Sequence, residues 1–214
     1  MNQFEDVVRS VKDIGMWAVD RSRQKSCVHA TAFCFEHCFN AKLEVAFPTI
    51  TPKDVRNDAA WESLNGASFK AWADRRRKPV ERFRFMTRGE AFACLSDVDK
   101  VADVVASNPS TLFWIPTRAW RNREYREAIE LKVMILENAR VLASIDPTND
   151  FAEVAEVMEH GWSTMFFGDD SATDGRVLCE KTHSHTKGAC ATCSNGCFQA
   201  KFGEAPVHVH LKQH

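Results

Sequence analysis

Apolar positions along the chain fall into short runs separated by longer segments of helical spacing. Met16–Val19 is a first short apolar run and reads as a strand. Arg82–Met86 alternates, with Phe83 and Phe85 on one side, and also reads as a strand. Thr111–Ile115, Arg140–Ile145 and Trp162–Phe167 are apolar runs that end in Pro116-Thr117-Arg118, Asp146-Pro147 and Gly168-Asp169-Asp170. Between them lie segments with period near 3.6. Val55–Trp72 carries Trp61, Leu64, Phe69 and Trp72. Asp97–Ser107 has Ser96 or Asp97 as cap and Val98, Val101, Ala102 and Val105 inward. Arg123–Glu137 has Tyr125, Ala128, Ile129, Lys132, Val133 and Leu136 on one stripe, the lysine stem snorkelling, and Phe151–Glu159 is stopped by Gly161. Phe4, Val7, Val8 and Val11 suggest a leading helix within Phe4–Asp13, and His208, His210 and His214 recur beside Val207, Val209 and Leu211 as in an edge strand first and a metal site second.

Strand and helix alternate with short connections. That order predicts an α/β fold with parallel strands joined by right-handed crossovers, and a partial or complete (β/α) barrel in one domain spanning 1–214. No G-x-G-x-x-G follows a strand, so a dinucleotide-binding sheet is the poorer reading.

The cysteines sharpen this picture. Eight are present in 214 residues. Cys27, Cys34 and Cys38 form C-x(6)-C-x(3)-C, Cys179, Cys190, Cys193 and Cys197 form C-x(10)-C-x(2)-C-x(3)-C, and Cys94 stands alone in an apolar stretch as a core thiol. The N-terminus lacks the basic and apolar regions of a signal peptide, and no apolar run approaches the ~18 residues that span a bilayer. A reducing cytoplasm is therefore expected, and there grouped thiols point to metal rather than disulfides. Secretion would instead allow four bridges. In a helical turn Cys34 and Cys38 share a face that Phe33, Phe35 and Phe39 would shield. The second group's C-x(2)-C knuckle, with Cys179 and Cys197, suits structural zinc as well as a [4Fe–4S] cluster. Segments 27–42 and 179–197 are expected to join at one site at the barrel mouth.

Strand ends supply the next candidates, because β/α barrels bind ligands at the carboxyl ends of their strands. They offer Arg88, Glu90, Arg118 and Asp146 for a cofactor or small molecule, with Thr117, Arg121, Ser144, Asp169 and Asp170 nearby. His183 and His185 read as part of a polar loop before they read as ligands. Basic and acidic residues number 28 and 29, so a uniformly basic nucleic-acid surface is excluded, and the run Arg75–Lys78 reads as a solvated helix end.

Several stretches resemble a poorly characterised family of cysteine-rich proteins common in bacteriophage genomes. These are S-C-V-H-A-T-A-F-C-F-E-H-C-F, F-R-F-M-T-R-G-E, I-P-T-R-A-W, L-A-S-I-D and C-A-T-C-S-N-G-C-F. The resemblance implies a barrel similar to that of radical S-adenosylmethionine enzymes and a [4Fe–4S] cluster. The usual radical-enzyme motif is C-x(3)-C-x(2)-C, which the first group departs from. Together these features lead to an iron–sulfur redox protein or oxidoreductase in a host cytoplasm, with an electron donor or small molecule as partner. The alternatives are a zinc-stapled binding module for a phosphorylated ligand or host partner, and a radical S-adenosylmethionine-like enzyme.

Overall fold

The structure is a computed structural model and describes residues 8–11, 14–168, 175–184, 189–194 and 196–212. Its frame is one sheet. In chain order the strands are β1 (Arg9–Val11), β2 (Met16–Val19), β3 (Arg82–Phe85), β4 (Leu112–Thr117), β5 (Ala139–Ile145), β6 (Ser163–Gly168), β7 (Val177–Leu178) and β8 (His208–Lys212). Among the described residues they lie in the order β1-β2-β3-β4-β5-β6-β8-β7. β1 is antiparallel to β2, and the seven strands from β2 to β7 in that order run parallel. Parallel neighbours require crossovers, and helices supply most of them. The helices are α1 (Arg23–Ser26), α2 (Ala32–Glu36), α3 (Phe39–Ala46), α4 (Ile50–Glu62), α5 (Gly66–Asp74), α6 (Leu95–Ala106), α7 (Arg123–Ile129), α8 (Phe151–Glu159), α9 (Glu180–His183) and α10 (Ala189–Thr192).

Alternation along each strand divides the molecule into two cores. Phe83, Phe85, Phe113, Ile115, Val141 and Ala143 face the larger helices and pack with Trp61, Phe69, Trp72, Val101, Ile129 and Val133. Many of these side chains are fully buried, each stabilising the fold by about 1.5–3 kcal/mol. Met16, Trp114, Leu142, Met165 and Val209 point the other way, and the segment carrying Phe198 and Ala200 covers them. A parallel sheet is stable with both faces covered. Here the second cover is not helical crossovers but the cysteine-rich stretch near the end of the chain.

The central strands agree with their sequence pattern to within one or two residues, and several other expectations are corrected. Within Phe4–Asp13, Arg9–Val11 is an edge strand rather than helix, paired with Met16–Ala18; residues 4–7 and 12–13 lie outside the described residues. Val55–Trp72 is two helices. The chain breaks at Asn65, whose side chain accepts from Ser68 N while Ser68 Oγ accepts from Asn65 N. Arg123–Glu137 passes from α-helix into a π-helical turn at Glu130–Met134. β8 is not an edge, since β6 and β7 flank it.

Candidate thiol centres at two levels of the sheet

The first cysteine group follows β2 and sits beside the carboxyl ends of β3, β4 and β5. Ser22 caps α1 by accepting from Lys25 N, and Ser22 N donates to the Asp58 carboxylate at 3.1 Å. Ser26 Oγ donates to the Ser22 carbonyl and accepts from Glu90 N at 3.0 Å, tying α1 to the loop after β3. Gly89 in that loop has φ +85°, and a Cβ there would meet Ser26 Oγ at 2.6 Å and the Arg21 carbonyl at 2.7 Å. Only glycine allows this approach, which brings Cys27 to the strand ends. Cys34 lies in α2, whose cap Thr31 accepts from Cys34 N at 2.9 Å and donates to Asp146 at 2.6 Å. Cys38 is the N-cap of α3.

Three of the four strand-end candidates close around these thiols. Arg118 Nη1 donates to Asp146 at 2.7 Å. Glu90 accepts from Arg118 N at 2.9 Å and from Ala91 N at 2.8 Å. Burial pushes Cys27 up to about 12, and the charges of Glu90, Cys34 and Cys38 push the same way. Burial also raises Cys34; Arg118 opposes this by charge and hydrogen bond, while Cys38 and Asp146 add to it. For Asp146, burial favours the neutral acid, but hydrogen bonds from Thr148 and Thr31 and the Arg118 charge outweigh it and hold the carboxyl below its usual range. The remaining candidate, Arg88, is engaged elsewhere: it pairs with Asp54 and lies 3.4 Å from Asp20, buried under α4. The expected shielding is also revised. Phe35 and Phe39 are 45% and 43% exposed, and Phe33 stacks on His37 instead.

The second group lies against the middle of the other sheet face. Cys179, Cys190, Cys193 and Cys197 line one cavity of about 40 Å³, together with Trp114, Phe198 and Val209 and with Val177, Leu178, Glu180 and Lys181 at its outer side. Arg82 and Arg84 alternate with Phe83 and Phe85 and so point to this side. Arg82 Nη1 donates to the carbonyls of Cys190 and Cys193 at 2.8 and 3.1 Å. Arg140 Nε donates to the Phe198 carbonyl at 2.9 Å. Arg84 stacks over Trp114 at 4.1 Å. Its enclosure lowers its pKa, and the charges of Cys190, Cys197, Asp20 and Cys179 oppose that. Burial raises Cys190 to about 11 against the pull of Arg84, and Cys197 is raised by burial and by the three other thiols.

The neighbours named for the two groups share no residue. Among the described residues no three Cys, His, Asp or Glu side chains yet stand in a geometry that holds an ion. The lone Cys94 is not a core thiol. It is exposed and caps α6, where Asp97 accepts from Cys94 N at 3.2 Å. His183 Nε2 meets Nδ1 of the buried His210 at 2.9 Å. The basic run lines an open groove of about 740 Å³ at the opposite end of β3, with Arg76 stacked on Trp72 and Trp17. Asp169, Asp170, His185 and His214 lie outside the described residues.

Comparison with known proteins now gives the family. The Gene product 88 family model matches residues 5–195. The chain belongs to that family. It is 28% identical over 194 residues to the Gene 88 protein of Mycobacterium phage L5, covering 78% of this chain and 76% of the relative. These matches support a bacteriophage origin. No solved structure matches. Among the described residues no helix is long and apolar enough to cross a membrane.

Sequence reasoning named the seven grouped thiols and the strand-end residues as candidates but did not name Arg82 and Arg84, which the structure sets against the second group. The signal was available. Met16, Trp114, Leu142 and Met165 are too apolar for a wet face, so arginines alternating onto that face had to lie under a cover.

Proposed function

We propose that this protein is an iron–sulfur redox protein or oxidoreductase of a phage-infected host cytoplasm, built on a partial (β/α) barrel. Its cluster is a [4Fe–4S] centre held by Cys27, Cys34 and Cys38. One observation carries the reading: three neighbouring thiols sit where parallel α/β sheets present their ligands, outside the carboxyl ends of the strands, among Arg118, Glu90 and Asp146. The donor set fits. Thiolates are the ligands, and burial raises both Cys27 and Cys34, so a bound cation would supply the stabilisation that the lost solvent does not. A cluster supplies electron transfer, and three protein thiolates leave one iron open to a small partner. The chain's own residues do the positioning. Asp146 fixes Thr31, Thr31 fixes the Cys34 amide, and Arg118 adds positive charge that favours the Cys34 thiolate.

The test is anaerobic purification followed by iron, sulfide and zinc analysis. Iron and sulfide are expected, with broad absorption near ~400 nm that Cys34→Ser removes. Stoichiometric zinc without iron, after expression with ample iron, would overturn the proposal in favour of a zinc-stapled module. S-adenosylmethionine added to the reduced cluster tests the radical-enzyme alternative, because a ligand at the open iron perturbs the cluster's paramagnetic spectrum.

A further inference from the structure

We infer that Cys179, Cys190, Cys193 and Cys197 form a second and separate metal centre, a four-thiolate site for one zinc ion that fastens this segment to the sheet. The inference shares with the proposed function the premise that grouped thiols are metal ligands, and goes beyond it in the number, kind and role of centres.

Several independent features support a built site. All four thiols open onto the same cavity, whose other walls include Trp114, Phe198 and Val209 on the sheet side and Val177, Leu178, Glu180 and Lys181 toward solvent. Structural zinc sites take four protein ligands, as these four thiols would supply, while catalytic ones keep a position open. The cavity of about 40 Å³ is on the order of one to three water molecules. That is room for one ion between the four sulfurs, and four cysteine thiolates with a C-x(2)-C knuckle are the donor set of a structural zinc site.

The backbone is prepared from three directions. Arg82 grips the carbonyls of both knuckle cysteines. Cys179 N donates to the His210 carbonyl at 3.0 Å, which fixes the first thiol to β8. Gly196, at φ +67°, lets the loop lie on Val209, whose methyl would meet a Cβ at 2.9 Å. Charge also matches. Four thiolates around a divalent ion leave a net negative site, and Arg84 stands within electrostatic reach of Cys179, Cys190 and Cys197.

Metal analysis of anaerobically purified wild type, Cys34→Ser/Cys38→Ser and Cys190→Ser/Cys193→Ser tests it. The expected result is about one zinc per chain in wild type in addition to iron. Cys34→Ser/Cys38→Ser should lose the iron and keep the zinc, and Cys190→Ser/Cys193→Ser should do the reverse. Should the second variant fail to fold, cobalt(II) exchanged into Cys34→Ser/Cys38→Ser replaces it as the readout. Intense absorption of a tetrahedral four-thiolate cobalt centre supports the inference, and its absence overturns it. Loss of both metals in each variant would mean one shared centre. Iron and sulfide that fall in Cys190→Ser/Cys193→Ser would mean a cluster in place of the single ion. Either result overturns the inference. Zinc retained with no iron anywhere would defeat the proposed function and leave this centre standing. Iron present without zinc, and unaffected by Cys190→Ser/Cys193→Ser, would do the opposite.

Discussion

Asp97 shows how much the carboxyl end of the sheet depends on single buried charges. Its carboxylate pairs with Arg21 at 2.8 Å, accepts from Trp61 Nε1 at 2.6 Å and takes the Ala93 amide at 3.0 Å. Burial opposes its ionisation, but the Trp61 and Arg21 interactions outweigh it and lower the pKa. Asp97→Asn keeps the shape and leaves Arg21 short of a partner, so a loss of about 3 kcal/mol is expected in denaturant unfolding. The sign with pH follows. A carboxyl depressed in the folded state contributes fully above its unfolded value, roughly pH 4, and loses that contribution as pH falls through the folded value. Wild type should therefore show a steeper acid limb than Asp97→Asn; equal slopes would mean that Asp97 titrates alike in both states. Gly89→Ala offers a second measure. The added methyl strains a left-handed backbone and collides with Ser26 Oγ and the Arg21 carbonyl. A loss above about 1 kcal/mol is expected, with exchange around Cys27 rising first. None of this was legible in the sequence beyond residue type. Asp97 reads there as a helix cap, yet it stands at the third helical position and serves Arg21 from 76 residues away.

At the scale of elements, β3 to β6 were legible because burial on both faces leaves continuous or alternating apolar runs. The failures have specific causes. β1 is three residues long, too short for period 2 and period 3.6 to differ. The α4–α5 break falls where the apolar stripe continues past it, so periodicity alone does not register the turn at Asn65. β8 alternates like an edge strand, yet its neighbour β7 has only two residues, both exposed. The cover on the second sheet face has no pattern of its own, because its elements are single turns held by arginines from the strands. That dependence is testable. Arg82→Met keeps the aliphatic stem and removes two hydrogen bonds, each worth about 1–3 kcal/mol when the donor is charged. Amides of residues 189–198 should exchange roughly tenfold faster or more, while those of β5 stay unchanged. Equal acceleration in both regions would show that the arginine supports the sheet rather than its cover.

On the scale of the whole molecule, the two thiol groups lie at different levels of one sheet and answer different needs. The first stands among charged residues at the strand ends. The second lies between the sheet and a short, irregular segment built of single turns, and such a segment gains from an additional tie. If a metal ion is that tie, binding and local folding are one process. Cys193→Ser should therefore lose its ion and free residues 177–198 to exchange, while Arg82–Phe85, Leu112–Thr117 and Ala139–Ile145 stay protected by the larger core, which does not include that segment. The first centre should keep its iron, because its neighbours are Glu90, Arg118 and Asp146. Hydrogen exchange and metal content on the same sample separate the possibilities. Central strands exchanging as fast as the end of the chain would mean that the metal holds the entire fold. No change anywhere would mean that Cys193 is not a ligand, and that Arg82 and the apolar contacts of Phe198 suffice to hold the segment in place.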